Sequence, residues 1–172
     1  MKKFNIALTL EQSISEKIIE YAKELYTTLD SNVILGLNSK PHITIGQFSI
    51  GDMEAKEVWQ NYASLSKLLP KVSLSGLTII PSSSGGAWIE ISVLKSSLLL
   101  KLQDDLINIL SPFGELTNDV GDNYRPHITI ARTTISKEFE NLPVDSEVLK
   151  LKLLNTELAI GLGTNFEDLI IK

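Results

Sequence analysis

Several short segments of the chain alternate apolar and polar residues, as strands with one buried face do. The clearest are Phe4 to Leu10, Val72 to Ile80 and Ala87 to Leu94. Proline, glycine or charged residues flank each of them, and such residues favour turns and strand ends. The pattern predicts strands in these segments and two more near the C-terminus, at about Val148 to Ile160 and Phe166 to Ile171.

Three other segments repeat apolar residues every three or four positions, which is the spacing of one face of a helix. They run from Ser13 to about Leu29, from Met53 to Leu69 and from Ser96 to Leu110. The first opens with a Ser-x-x-Glu capping pattern, and a proline closely follows each of the other two, which ends a helix. A shorter piece near Ser136 to Asn141 is predicted to be helical or irregular.

One pentapeptide, Pro-His-Ile-Thr-Ile, occurs twice, at residues 41–45 and 126–130. Each copy predicts a strand. The order strand, helix, loop and PHITI strand recurs on both sides of the Pro-Ser-Ser-Ser-Gly-Gly segment at residues 81–86, which indicates an internal duplication. The fold predicted is α+β and bilobal, with a pseudo-two-fold axis, mostly antiparallel sheets, and helices packed on the outer faces around a central groove.

The length of the chain limits its domain organisation. With 172 residues, it can fill one core but is short for two independent domains. We therefore expect a single domain over residues 1–172, made of two lobes at about 1–81 and 86–172. The duplication allows strands to be exchanged between the lobes.

The two copies contain the only histidines of the chain, His42 and His127. Because successive side chains of a strand point to opposite faces, each histidine shares a face with Thr44 or Thr129, while the isoleucines face the core. If a two-fold axis relates the lobes, both His-x-Thr faces meet across one groove. Imidazole titrates near ~6.5, so one ring can accept a proton while the other donates one. The threonine hydroxyls can bond phosphate oxygens. The sequence thus predicts phosphodiester cleavage without a metal.

Two simpler interpretations compete with this one. A single histidine on a strand is usually a surface or edge residue, and two histidines hold a metal only with a third or fourth ligand. The nearest acidic residue, Asp122, lies in a predicted loop. The same residues recur at the same spacing with no histidine elsewhere, which favours a catalytic pair with no metal and no cofactor.

The only two arginines, Arg125 and Arg132, flank the second copy, and a guanidinium group suits phosphate oxygens. Arg125 lies two residues before His127 and shares its face if the strand extends back that far. Arg132 lies five residues after it, so strict alternation places it on the opposite face. Both arginines and Tyr124 are candidate substrate-binding residues. Three aromatic residues near the motifs are candidates for either base stacking or core packing: Trp88, Tyr124 and Phe48.

Composition excludes several classes of protein. The net charge is −5 and the pI is about 5.1, which argues against binding to long duplex nucleic acid. A small phosphorylated ligand, or one nucleic-acid end such as an RNA 3′ end, needs only a few local cations. There is no cysteine, no apolar run long enough for a bilayer and no signal-peptide pattern. We expect a cytoplasmic protein with no membrane partner, and a monomer is favoured.

The sequences around His42 and His127 resemble the paired His-x-Thr-x motifs of the two-histidine (2H) phosphoesterase superfamily. The stretch YRPHITIAR at residues 124–132 closely resembles the second motif of its 2′-5′ RNA ligase/cyclic phosphodiesterase branch. This resemblance implies a bilobal α+β fold and metal-free hydrolysis of a 2′,3′- or 1″,2″-cyclic phosphate. It also implies that His127 is the base, His42 the acid, and Thr44 and Thr129 the phosphate ligands.

The surroundings of the first motif depart from that branch. The branch usually has an asparagine shortly before the first histidine and Phe-Leu-Gly after the motif, whereas this chain reads KPHITIGQF. The substrate therefore stays open, with reversible 2′-5′ joining of RNA ends and non-catalytic binding of a nucleotide or RNA end as alternatives. Two intact histidines disfavour the binding module, because pure binding does not require two titratable groups.

Overall fold

The fold is described from a computed structural model, over residues 1–28, 31–35, 39–65, 68–82, 85–133, 142, 144, 146–163 and 168–171. These residues form eight strands and three α-helices, and every pair of neighbouring strands is antiparallel. In chain order the elements are β1 (Lys2–Leu10), α1 (Gln12–Thr28), β2 (Ser31–Ile34), β3 (His42–Ile50), α2 (Asp52–Leu65), β4 (Leu74–Pro81), β5 (Ala87–Val93), α3 (Ser97–Leu110), β6 (His127–Thr133), β7 (Thr156–Leu162) and β8 (Asp168–Ile171).

The strands form two four-stranded sheets, ordered β3-β1-β7-β8 and β2-β6-β5-β4. Each PHITI strand lies beside the strand that begins its half of the chain, because β3 pairs with β1 and β6 pairs with β5. The later strands pair with a strand from the other half of the sequence: β7 pairs with β1, and β4 pairs with β5. Each sheet therefore contains strands from both halves of the sequence. The predicted α+β class and antiparallel sheets are confirmed.

The isoleucines of the two motifs anchor their strands in the core. Ile43, Ile45 and Ile128 are fully buried, and Ile130 is 1% exposed. Burial of one such side chain contributes about 1.5–3 kcal/mol to folding. Helix α1 contacts β2 and β6, and helix α3 contacts β3. No helix in the described part of the chain is long and apolar enough to cross a membrane.

The strand predicted at Val148 to Ile160 is wrong over its first part. Glu147–Lys150 form a 3-10 turn, and the strand begins only at Thr156. Between them, Leu153 has a φ of 54°, in the left-handed region that strands do not use. Apolar spacing alone does not reveal such a backbone break. The piece predicted near Ser136 to Asn141 lies outside the described residues.

Candidate active site

The two PHITI strands line one groove with a volume of about 470 Å³. His42 and Thr44 from β3, and His127 and Thr129 from β6, contribute to its wall. All four side chains are half-buried, and the residues between them are buried. The alternation of a strand thus presents the polar pair of each motif to the groove and Ile43, Ile45 and Ile128 to the core, while the buried Ile130 also borders the groove.

Both motif strands contain the same β-bulge. In the pairing of β3 with β1, Ile45 has no residue opposite it, and in the pairing of β6 with β5 the same is true of Ile130. An extra residue of this kind shifts the alternation of the strand by one position. The fifth residue after each histidine, Gln47 or Arg132, therefore returns to the face of that histidine.

The position of Arg132 differs from the one that strict alternation predicts. Arg132 lies opposite Trp88, and Trp88 shares a face of β5 with Glu90, which lies opposite Thr129. The bulge is the reason for the difference. The Arg132 guanidinium stacks over Trp88, 5.2 Å from the ring centre, as cations do on aromatic faces. Trp88 lines the groove, so the Arg132 guanidinium lies against a ring of the groove wall.

A backbone carbonyl fixes the orientation of each imidazole. Nδ1 of His42 lies 2.7 Å from the carbonyl oxygen of Lys40, and Nδ1 of His127 lies 2.7 Å from that of Arg125. A carbonyl only accepts, so Nδ1 carries a hydrogen in both rings and Nε2 is left for the groove. In both cases a proline separates the carbonyl from the histidine, which holds the preceding residue in an extended conformation.

The Nε2 atom of His42 faces a hydrogen-bond donor. Asn5 Nδ2 lies 3.4 Å from it and also donates to Thr44 Oγ1 at 3.2 Å. Burial is the main cause that lowers the pKa of His42; the nearby His127 also lowers this pKa, while the bond to the Lys40 carbonyl opposes the shift. These surroundings favour a neutral His42.

The Nε2 atom of His127 faces an acceptor instead. Oε1 of Glu90 lies 3.4 Å from it, and Oε2 of Glu90 accepts from Arg125 Nη1 at 3.2 Å. The Glu90 side chain is 7% exposed, while that of Arg125 is 53% exposed. In the other sheet, the residue opposite the motif threonine is Ala7. The two halves of the site are therefore alike in the histidines and threonines but different in charge.

Tyr124 and the other aromatic candidates occupy different positions. The Tyr124 ring is 3% exposed, and burial raises the pKa of its hydroxyl, which donates to the Thr44 carbonyl at 2.8 Å. Tyr124 lines the groove, but this hydroxyl bond is made to the protein. Phe48 is fully buried and stacks on Phe4, with ring centres 6.0 Å apart. Trp88 is the candidate with a partly exposed ring in the groove.

A loop between α3 and β6 forms another wall of the groove. Thr117 N–H donates to the Gln47 carbonyl at 2.7 Å, and Gln47 N–H donates to Asn118 Oδ1 at 2.7 Å. Gln103 of α3 is fully buried and donates to the carbonyl of Ile45, the bulged residue, at 3.1 Å. It also accepts from Gly121 N–H at 3.0 Å. The same side chain therefore supports the bulge and the loop.

Sequence reasoning did not identify Asn5, Glu90 or Gln103 as contributors to the site. Asn5 and Glu90 alternate with apolar residues in β1 and β5, Gln103 lies in α3, and each of the three is at least 95% buried. A buried polar side chain requires a partner, so these residues become recognisable as parts of the site once the fold shows that they are buried. Asp122 is exposed in the 3-10 turn Gly121–Asn123. Within the described ranges, no three His, Asp or Glu side chains lie close enough together to hold a metal ion.

Residues 10–153 match the family model described as the 2′-5′ RNA ligase superfamily. The chain belongs to this superfamily. No protein of curated function matches it at a significant level of sequence similarity. The confirmed family is therefore that of the two-histidine phosphoesterases, whose members are phosphoesterases and ligases.

Solved structures share the fold of this superfamily member. The structure of E. coli LigT complexed with 3′-AMP is 14% identical, with a TM-score of 0.64, covering 95% of this chain and 88% of that chain. For Kluyveromyces marxianus Usb1 the identity is 10% and the TM-score 0.50, with coverages of 98% and 95%. The MHV ns2 PDE domain is 16% identical, with a TM-score of 0.50 and coverages of 91% and 86%. At these identities the likeness concerns the fold.

Proposed function

We propose that the protein is a phosphodiesterase that hydrolyses a cyclic phosphate without a metal, using His42 and His127 as the acid–base pair. The substrate is a 2′,3′-cyclic phosphate at an RNA end or on a small nucleotide, or a 1″,2″-cyclic phosphate. One observation carries the proposal: both Nδ1 atoms lie 2.7 Å from backbone carbonyls, so the proton that each imidazole gains or loses in the reaction is the one on Nε2, and both rings line a groove that two threonines also line.

The reaction requires two proton transfers at the phosphorus atom. One imidazole takes a proton from water, whose oxygen forms a bond to phosphorus. The other imidazole gives a proton to the ribose oxygen whose bond to phosphorus breaks, which leaves a phosphomonoester and a free hydroxyl. Opening at the 3′ oxygen leaves a 2′-phosphate. Thr44 Oγ1 accepts from Asn5, so its own hydrogen remains free to donate to a phosphate oxygen.

The groove also suits the remainder of a nucleotide. Its volume of about 470 Å³ falls within the range of small-molecule sites. The half-exposed Arg125 side chain offers a cation, and Trp88 offers a ring for base stacking. Solved relatives of this fold hold 3′-AMP and ATP in E. coli LigT and uridine monophosphate in the yeast Usb1, which supports a nucleotide ligand here.

The test is turnover of 2′,3′-cyclic nucleotides, and of an RNA that ends in a cyclic phosphate, in the presence of EDTA. We expect activity to survive the chelator and to fall at least ~10²-fold in His42→Ala and in His127→Ala, the usual scale of general acid–base catalysis. Loss of activity in EDTA would contradict the metal-free reaction. Measurable binding without turnover of any cyclic phosphate would favour a binding module, and joining of RNA ends without hydrolysis would favour a ligase.

A further inference from the structure

The polar groups that the two Nε2 atoms face differ in a way that assigns the imidazoles separate roles. We propose that Glu90 keeps a transferable proton on Nε2 of His127, so that His127 is the general acid and His42 the general base. The inference rests on the phosphodiesterase reaction proposed above, and it reverses the order that the family resemblance implies. Glu90 acts through His127 and is therefore a positioning residue.

Both ring nitrogens of His127 face acceptors. Its Nδ1 atom faces the Arg125 carbonyl at 2.7 Å, and its Nε2 atom faces Glu90 Oε1 at 3.4 Å. Neither a carbonyl nor a carboxylate can donate a hydrogen. Both ring nitrogens are satisfied only when both carry a hydrogen, which is the protonated imidazolium. A ring in this state can give a proton to a leaving oxygen.

His42 has the opposite set of partners. Its Nδ1 atom faces the Lys40 carbonyl at 2.7 Å, but its Nε2 atom faces the amide nitrogen of Asn5 at 3.4 Å. The same amide nitrogen donates to Thr44, so both of its hydrogens have acceptors. Asn5 Oδ1 is buried and has no hydrogen-bond partner among the described residues, so rotating the amide would move both hydrogens to a place without an acceptor. Nε2 of His42 therefore accepts a hydrogen bond, as in a neutral imidazole. A ring in this state can take a proton from water.

Burial of Glu90 strengthens the assignment. An anionic carboxylate that is 7% exposed is costly unless charged groups pair with it. Arg125 binds one of its oxygens, and Nε2 of His127 lies 3.4 Å from the other, where a protonated ring would pair with it. Ala7 stands at the corresponding position of the other sheet, so the position that holds a carboxylate beside His127 holds a methyl group in the other half. The duplication is thus asymmetric at the position that distinguishes an acid from a base.

Other charged groups line the walls around these rings. Among the described residues, Glu90 is the carboxylate that forms an ion pair with a histidine. The Lys95 ammonium donates to the carbonyls of Gly121 and Asp122, at 3.3 and 2.9 Å. The other titratable or charged side chains that line the groove or the small cavity beside His127 are Asp119, Asp122, Lys95, Arg125 and Tyr124, whose hydroxyl donates to the Thr44 carbonyl.

The assignment specifies each proton transfer. Water gives a proton to Nε2 of His42, and its oxygen forms the new bond to phosphorus. The bond between phosphorus and the ribose oxygen breaks, and that oxygen takes the proton from Nε2 of His127. Exchange with solvent then returns His42 to its neutral form and His127 to its protonated form. No oxidant, reductant or second substrate is consumed.

A comparison of leaving groups separates the acid from the base. The ribose oxygen of a 2′,3′-cyclic nucleotide leaves only with a proton, whereas p-nitrophenolate leaves bis(p-nitrophenyl) phosphate without one. We expect His42→Ala to lose ~10²-fold or more on both substrates and His127→Ala to lose this much only on the cyclic nucleotide. The opposite pattern, with His42→Ala spared on the nitrophenyl ester, would overturn the assignment.

The role of Glu90 is tested with Glu90→Gln, which keeps the shape of the side chain but removes its charge. We expect roughly a tenfold loss of kcat on the cyclic nucleotide, a smaller loss on the nitrophenyl ester, and an alkaline limb of the pH–rate profile displaced to lower pH. The matched control is Glu57→Gln, on an exposed position of α2, which should leave the profile unchanged.

The outcomes distinguish this inference from the proposed function. If the wild-type protein hydrolyses neither substrate, the phosphodiesterase proposal fails. If it hydrolyses the cyclic nucleotide and Glu90→Gln retains the wild-type pH profile, the inference alone fails. Hydrolysis of the nitrophenyl ester by Glu90→Gln shows that the variant is folded. If the wild type and all variants hydrolyse that ester poorly, the pH–rate profile on the cyclic nucleotide tests the role of Glu90.

Discussion

Tyr124, in the flank of the second motif, donates its hydroxyl to the backbone carbonyl of Thr44 in the first motif at 2.8 Å. The two residues are far apart in sequence but join the two halves of the groove. The bond ties the segment before His127 to the strand that carries His42. It is therefore placed to control how the two imidazoles face one another.

Tyr124→Phe removes this hydroxyl and leaves the ring in place. Because the Thr44 carbonyl loses a partner, we expect the free energy of unfolding to fall by about 1–2 kcal/mol and turnover of a cyclic nucleotide to fall as well. Tyr62→Phe is the matched control, since buried Tyr62 donates to the Leu102 carbonyl, also at 2.8 Å, between α2 and α3. Urea unfolding should give similar losses for both variants. Equal losses of activity would contradict the special role of Tyr124.

Glycine directly follows the first PHITI motif and alanine follows the second. Packing explains the difference. A Cβ atom on Gly46 would come within 2.6 Å of side-chain carbons of both Leu106 and Leu116. Ordinary carbon contacts are about 3.5–4.0 Å. Ala131, the corresponding residue of β6, is fully buried and accommodates its methyl group.

We therefore expect Gly46→Ala to destabilise the protein by about 1–3 kcal/mol through overpacking. Gly114→Ala is the control, because a Cβ atom there would meet Ile50 at an ordinary distance of 3.6 Å. Urea denaturation of both variants gives the comparison. Equal stability of the two variants would show that the core beneath Gly46 accommodates the added methyl group without loss of stability.

Alternation along a strand was sufficient to predict which residues of each motif face the groove. His42 and Thr44 lie on one face and Ile43 on the other because the side-chain period of a strand is two, whatever its neighbours are. The same rule fails for Arg132. The bulge at Ile130 depends on the register with β5, and nothing in the local sequence distinguishes a bulged isoleucine from a regular one.

The polar partners of the histidines could not be predicted for a related reason. Asn5 and Glu90 each occur in a strand with regular alternation, so their side chains fit an exposed face as well as a groove. Their roles depend on which residues of the neighbouring strand they contact. The pairing of strands within a sheet is a property of the tertiary fold. In particular, the strand crossover that brings β7 beside β1 leaves no local trace in the sequence.

Trp88 provides a test of nucleotide binding that is independent of the histidines. Stacking of a base on an aromatic ring contributes about 1–3 kcal/mol to binding, and about 1.4 kcal/mol corresponds to a factor of ten in affinity. Trp88→Leu should therefore raise KM for a 2′,3′-cyclic nucleotide roughly tenfold or more. We expect little change in kcat. Bis(p-nitrophenyl) phosphate, which has no nucleobase, is the control substrate. A similar rise of KM for both substrates would contradict base stacking.

The lowered pKa of His42 also predicts a dependence of stability on pH. Above about pH 6.5, the ordinary pKa of histidine, the ring is neutral in the folded and the unfolded chain and contributes no pH dependence. As the pH falls below that value, the unfolded chain binds a proton on His42 and the folded chain does not, because burial disfavours the charged ring. The free energy of unfolding therefore decreases until the pH reaches the lower, folded-state pKa.

His42→Gln should remove this part of the loss of stability at acidic pH, because glutamine does not titrate. The measurement is the free energy of unfolding by urea, for wild type and variant, at a series of values between about pH 7.5 and about pH 5, the range in which histidine changes charge. Carboxylates titrate in both proteins, so their contribution cancels in the difference. We expect wild type to lose more stability than the variant as the pH falls. Parallel curves would show that the folded protein protonates His42 as readily as the unfolded chain does, and a neutral base in the groove would then lose its support.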